Sequence, residues 1–261
     1  MPFQLHFFED DWARIERDYE AWWAHELDRP LVQITGKKRR FGVRYPEVPT
    51  FLTNYPSGTS AEQIIAEAEM ELEATRYYGD AYPRWWLNFG PGMMAGFLGA
   101  RVHSAPETVW FEPSELRPAA ELHPDYQADN PWWQQVKSLT QLAAKSWGRH
   151  VQVGHTDLGG NLDIVASLRT TQHLLTDLYD APAEIERLVN EVTQLWLRYY
   201  DELYTLISPS CRGTTCWAPI WSAGKTYMLQ CDFSYMISPA MFERFVLPDL
   251  AACCEHLDQA F

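Results

Sequence analysis

The sequence is poor in positive charge: 21 Lys and Arg stand against 35 Asp and Glu, a formal net charge of −14. Phosphate neutralisation needs a basic face, and the one concentrated basic run is Lys37–Arg44, KKRRFGVR, so nucleic acid is excluded as a general partner. No apolar run approaches the roughly 20 residues that a membrane helix requires. The first dozen residues, MPFQLHFFEDDW, turn acidic at once and lack the charged-then-apolar pattern of a secretory leader, which predicts a cytoplasmic protein without a membrane partner. Cysteine is scarce. Cys211, Cys216, Cys231, Cys253 and Cys254 form no CxxC pair, and the adjacent pair cannot readily bridge, so a disulfide framework is not expected and most should be reduced core thiols. The Walker loop, HExxH, GxSxG and the Rossmann glycine pattern are also missing, as are internal repeats and low-complexity tracts.

What the chain does have is apolar bulk. With 261 residues, 46% of them hydrophobic, it can bury a full core, and we read residues 1–261 as a single domain. Phe8, Trp12, Ile15, Tyr19 and Trp22 recur at helical spacing and predict a helix from about Phe8 to Leu27. Leu31–Thr35 reads as a short strand, followed by a long polar loop to about Gly58 that could serve as a lid. Ser60-Ala-Glu-Gln63 matches a capping box in which Ser60 caps the Gln63 amide and Gln63 reaches back. A second strand is expected over Ala81–Phe89, an irregular stretch over Pro91–Pro131, a helix over Trp132–Trp147 and a third strand over Val151–Thr156. The stripe Ile185, Leu188, Val189, Val192, Leu195, Trp196, Tyr199 and Leu203 gives the most regular helix, opened by Ala181-Pro182. Gly213–Cys216 and Tyr227–Cys231 complete about five strands alternating with helices, which argues for a parallel sheet or a β/α barrel.

The segment Tyr227–Pro248 is the most informative. A buried strand runs to Asp232, Ser238 can cap the next helix and Pro239 suits its first position, with Phe242, Phe245 and Val246 as one apolar face. Barrel enzymes present their chemistry at such strand ends. By the same logic His155 and Asp157, two residues apart at the end of the third strand, point to one side and suit an acid/base or metal pair. The alternative is that Asp157 caps the Gly-Gly turn and His155 packs. His155, Asp157 and Asp232 are therefore the candidate catalytic residues. Gln230 beside Asp232, Tyr235 just after it, Arg169 at the end of the glycine-turn segment, and Trp86 and Trp217 near strand ends are candidate substrate contacts, together with Asn88. Trp85 and Trp221 lie near the same ends, and tryptophans so placed could line a pocket for a flat or sugar-like ligand or serve as core bulk. The Lys37–Arg44 run could attract an anionic substrate. No metal ligand set is assigned from the sequence.

Laid out this way, the chain resembles the uroporphyrinogen decarboxylase superfamily, which also holds cobalamin-linked methyltransferases and is related to the barrel of cobalamin-independent methionine synthase. Gly154–Arg169, GHTDLGGNLDIVASLR, with Leu174-Leu175 and Asp180-Ala181-Pro182, is similar to the family's glycine turn and following helix start. Gln230–Pro239 and Phe242–Pro248 resemble its strand, Ser-Pro and aromatic helix, and Tyr77–Ala81, YYGDA, its approach to the second strand. The resemblance implies an α/β fold of the (β/α)8 TIM-barrel type, with about five β/α units here and the later strands missing. It implies methyl (one-carbon) transfer to or from a small-molecule substrate, with a corrinoid protein or folate as partner. A homo-oligomer is a further expectation, and zinc or a corrinoid would be held only by ligands beyond Phe261. Where the decarboxylase has an Asp against the pyrrole nitrogens, this chain offers Asn88, whose neutral amide cannot replace a carboxylate electrostatically. The arginine pair of the first-strand loop has no matching motif around Thr35 and Lys37–Arg40, Val165 stands near the place of the glycine-turn tyrosine, and Phe233 displaces the serine after the fifth-strand acid. Porphyrinogen decarboxylation and small-molecule or carbohydrate binding on the same barrel are the alternatives.

Overall fold

The computed structural model describes residues 3–39 and 41–261. Arg40, part of the basic run, lies outside the described residues. Helices are α1 (Glu9–Trp23), α2 (Ala61–Ala74), α3 (Met94–Phe97), α4 (Pro131–Trp147), α5 (Asn161–Arg169), α6 (Thr171–Asp180), α7 (Pro182–Ile207), α8 (Pro239–Phe245) and α9 (Leu247–His256). Strands are β1 (Gln33–Lys37), β2 (Thr75–Gly79), β3 (Arg84–Trp86), β4 (Arg101–Ala105), β5 (Thr108–Glu112), β6 (Gln152–Gly154), β7 (Thr226–Tyr227) and β8 (Gln259–Ala260).

Helix dominates, and α7 is its spine. Ile185, Leu188, Val192, Trp196, Tyr199 and Leu203 are all buried, as the sequence stripe requires, and α4 and α5 pack along it. Caps follow the sequence too: Ser238 accepts from the Met241 amide with Pro239 at the first turn of α8, and Ser60 accepts from the Gln63 amide. The Gln63 side chain does not reach back; it donates to Glu67 at 3.0 Å, one turn along α2. Cys211, Cys216 and Cys253 are buried free thiols.

The sheet departs from the expected barrel. Among the described residues the strands form four two-stranded pairs and no closed barrel. β3 and β6 pair in parallel, Trp85 opposite Val153, and β7 pairs in parallel with β8. Between those pairs the segment after Gly213 lies against the end of β6 through single hydrogen bonds, His155 amide to Thr215 carbonyl at 2.9 Å among them, and folds on itself through an antiparallel bridge between Thr214 and Ser222. The first strand does not join β3. It pairs antiparallel with β2, Gln33 opposite Gly79 and Lys37 opposite Thr75. The reason lies in Asp80. Its buried carboxylate accepts from the Val32 amide at 2.6 Å and from both Arg29 nitrogens at 2.7 and 2.8 Å, which fastens the start of β1 to the end of β2. Burial pushes the Asp80 carboxyl up, but these hydrogen bonds outweigh it and hold it below the ordinary carboxylate range. The stretch expected to be irregular, Pro91–Pro131, contains α3 and the β4–β5 hairpin, closed by the two residues Pro106 and Glu107.

Candidate functional site

β6 runs into a fully buried turn, His155 to Gly160, that delivers the chain to α5. Gly159 makes the turn feasible: its φ is +86°, and a Cβ there would stand 2.7 Å from the Gly92 Cα. Within this turn Asp157 is 5% exposed yet well supplied with donors. Its Oδ1 accepts from the Gly159 amide at 2.8 Å, from the Tyr227 hydroxyl at 3.4 Å and from the Gln230 side-chain amide at 3.5 Å. The Tyr227 oxygen in turn accepts from the Leu158 amide at 2.8 Å. Burial is the largest influence and raises the Asp157 carboxyl to about 6. The Gly159 and Gly92 amides and the Tyr227 hydroxyl pull it down, and the charge of Asp232 pushes it further up. A carboxyl poised there exchanges protons near neutral pH.

A second acid had no signal beyond an ordinary first-turn carboxylate in the sequence. Asp163 of α5 accepts from the Asp232 amide at 3.0 Å and the Phe233 amide at 2.7 Å, capping the 3-10 turn Asp232–Met236. Burial raises its carboxyl to about 6 as well. Asp163, Asp232 and Tyr235 open onto a cavity of about 490 Å³ walled on the far side by Trp110 and Phe111 of the hairpin. Tyr235 is 84% exposed there. Two sequence candidates, Asp157 and Gln230, thus meet in the buried turn, and two others, Asp232 and Tyr235, line the cavity, which Asp157 does not reach.

The others stand apart from it. His155 packs edge-on against Tyr200 of α7, ring centroids 4.5 Å apart, and neither ring nitrogen has a hydrogen-bond partner. Burial lowers it to about 3, so it is neutral, and it makes no hydrogen bond to Asp157. Asn88 spends its side chain on the backbone, donating to the Thr50 carbonyl at 2.9 Å and accepting from the Gly90 amide at 3.2 Å. Arg169 pairs with Asp177 at 2.7 Å, tying α5 to α6. Trp217 donates to the Met228 carbonyl at 3.2 Å and packs against the core, Trp85 lies on Trp147, and Trp221 is buried. Trp86 is half-buried with an unpartnered indole nitrogen. These tryptophans line no common pocket. Among the described residues no group of three or more His, Cys, Asp or Glu is placed to hold a metal ion.

No family model matches the chain, and no curated protein matches it. Among solved structures it is similar to a methyltransferase from Methanosarcina mazei, with a TM-score of 0.47 and 10% identity over 68% of this chain and 49% of that one. The chain spans about half the length of that protein. A likeness of this size assigns neither fold nor activity.

Proposed function

We propose that this chain is an enzyme acting on a small molecule at the Asp163–Asp232–Tyr235 mouth, with Asp157 as its proton-exchanging group. The observation that carries the reading is the state of Asp157: sealed from water, held by Gly159, Tyr227 and Gln230, and raised to about 6. Above that pH it is a carboxylate able to act as a base. The reaction class is the methyl transfer implied by the sequence resemblance. A folate or a corrinoid protein would supply the methyl group. Asp157 does not line the cavity, so the acceptor, a thiol or amine, must displace the Gln230 side chain to reach it. The acceptor then gives its proton to the Asp157 carboxylate as its lone pair forms the new bond to carbon, and the electron pair of the broken bond leaves with the donor. Asp232 and Tyr235 orient the acceptor. The described donor set does not fit zinc, and no step here uses it.

The decarboxylase reading loses support because the Asn88 amide is committed to Thr50 and Gly90. The sugar-pocket reading loses its wall, since the tryptophans pack elsewhere. Incubating the protein with methyltetrahydrofolate or methylcobalamin and a panel of thiol and amine acceptors tests the proposal. Methyl transfer that falls on the order of 10²–10⁴-fold in Asp157→Asn supports it. Transfer unaffected by that substitution, or none to any acceptor, overturns it.

A further inference from the structure

The second cavity lies away from this mouth and shares no lining residue with it. It measures about 500 Å³ and sits where a barrel would have paired the first strand with β3. Because β1 turns away to pair with β2, a gap opens between the β1–β2 ribbon, the inner face of α2 and the free edge of β3. Ala68 and Leu72 of α2 give it an apolar wall, and Tyr77, Tyr82 and Trp85 give it an aromatic one.

Its charges are unequal. Lys37 and Arg39, two members of the basic run, share the single carboxylate of Glu71, at 2.9 and 3.0 Å. Arg84, also in the cavity wall, has no carboxylate within ion-pair range among the described residues. Its Nη1 donates to the Cys216 carbonyl at 2.6 Å and the Trp217 carbonyl at 3.3 Å, while Nε and Nη2 make no hydrogen bond within the described chain. Anchored through Nη1, the guanidinium leaves free the Nε–Nη2 edge, whose two parallel N–H groups match the two oxygens of a carboxylate. Nearby, the Tyr77 hydroxyl is buried and has no partner. Burial raises it well above its ordinary value, so it remains an O–H that can donate to an anion.

We infer that this cavity is a second ligand site, for a small organic monocarboxylate with an aromatic or flat apolar body. The carboxylate would dock on the Nε–Nη2 edge of Arg84 with help from Tyr77, and the body would lie against Trp85, Ala68 and Leu72. Among the described residues, Arg84 is the cation of this wall that makes no ion pair, and its planar Nε–Nη2 edge suits the two coplanar oxygens of a carboxylate. The site is independent of the methyl-transfer reading, so failure of one leaves the other intact.

Calorimetric titration with benzoate, benzamide and phenyl phosphate tests it on the intact chain. Benzoate is expected to bind with a Kd of about 1 mM or tighter. Benzamide, which has the same shape without the charge, should bind at least about tenfold more weakly, as should phenyl phosphate. Arg84→Gln should weaken benzoate about tenfold or more, and Tyr77→Phe severalfold. Arg84 also ties down two carbonyls, so Thr35→Trp, which fills the cavity from an exposed strand position, serves as the second variant and should abolish binding. Absence of benzoate binding to the wild type overturns the inference. So does benzoate affinity unchanged in folded Arg84→Gln or in Thr35→Trp, or phenyl phosphate binding tighter than benzoate.

Discussion

His155 and Asp157 stand two positions apart in the turn after β6 and meet different environments. Asp157 finds three donors, the Gly159 amide, the Tyr227 hydroxyl and the Gln230 side chain, whereas His155 is sealed against Tyr200 with both nitrogens idle. A buried polar group without partners costs about 1–3 kcal/mol. His155→Leu is therefore expected to raise the urea midpoint at pH 7. The gain should grow toward pH 5: a histidine held down near 3 costs the fold stability as pH falls below its unfolded value of about 6.5, because only the unfolded chain takes up the proton. The buried acids have the opposite sign. Asp157, Asp163 and Asp249 are raised to about 6, 6 and 7, so their contribution is fully present below the ordinary carboxylate range and is lost as pH rises toward 7. Asp157→Asn should remove its share, gaining up to about 3 kcal/mol over wild type between pH 4 and 7 in a urea series. A pH-independent difference would show that Asp157 titrates normally. The sequence places this acid at a strand end, but β6 stops at Gly154, and what the structure shows is the alternative reading: Asp157 caps the turn at Gly159 and His155 packs. The sequence did not reveal Asp163, since only the fold brings α5 under the amides of Asp232 and Phe233.

Elements with a strong local signal were read correctly. α7 has an unbroken apolar stripe, and α8 has its Ser-Pro start, so neither depends on distant partners for its identity. The β4–β5 hairpin went unread because its Pro106-Glu107 turn lacks the Asn-Gly or Asp-Gly signature that favoured hairpin turns require. The pairing of β1 went unread for a different reason. Strand partners are set by long-range contacts, and here one side chain, Asp80, decides between β2 and β3. Asp80→Asn should loosen the β1–β2 ribbon and lower the thermal midpoint at pH 7. Because the native carboxyl is held below its unfolded value, that deficit should shrink as pH falls through the depressed value. Hydrogen exchange at the Gln33–Lys37 amides would report it, and unchanged protection there would show that Asp80 is not the latch. At the glycine turn, a Cβ on Gly160 would lie 2.2 Å from the Gln230 carbonyl oxygen. Gly160→Ala should cost about 1–3 kcal/mol by chemical denaturation and displace Gln230 from Asp157.

Across the whole molecule, the alternation of strands and helices foretold an α/β protein, and the parallel β3–β6 pair sits where the sequence placed its second and third strands. The expectation of an incomplete barrel of about five adjacent parallel strands fails on continuity, since the described strands do not join into one sheet. Paired strands among the described residues stop at four separate two-stranded ladders, with acids and amides concentrated where β6 and β7 end. Where a porphyrinogen would need a fixed anion the chain has Asn88, its amide held by Thr50 and Gly90. Anaerobic incubation with uroporphyrinogen is accordingly expected to yield no coproporphyrinogen above the blank by chromatography. Whether Asp157 exchanges its proton near neutral pH is read by carbon-13 NMR titration of the aspartate carboxyls in the wild type and in Asp157→Asn. We expect one wild-type resonance with a midpoint near 6 to vanish in the variant while those of Asp163 and Asp249 persist. Loss of only a resonance titrating in the ordinary carboxylate range would contradict the account.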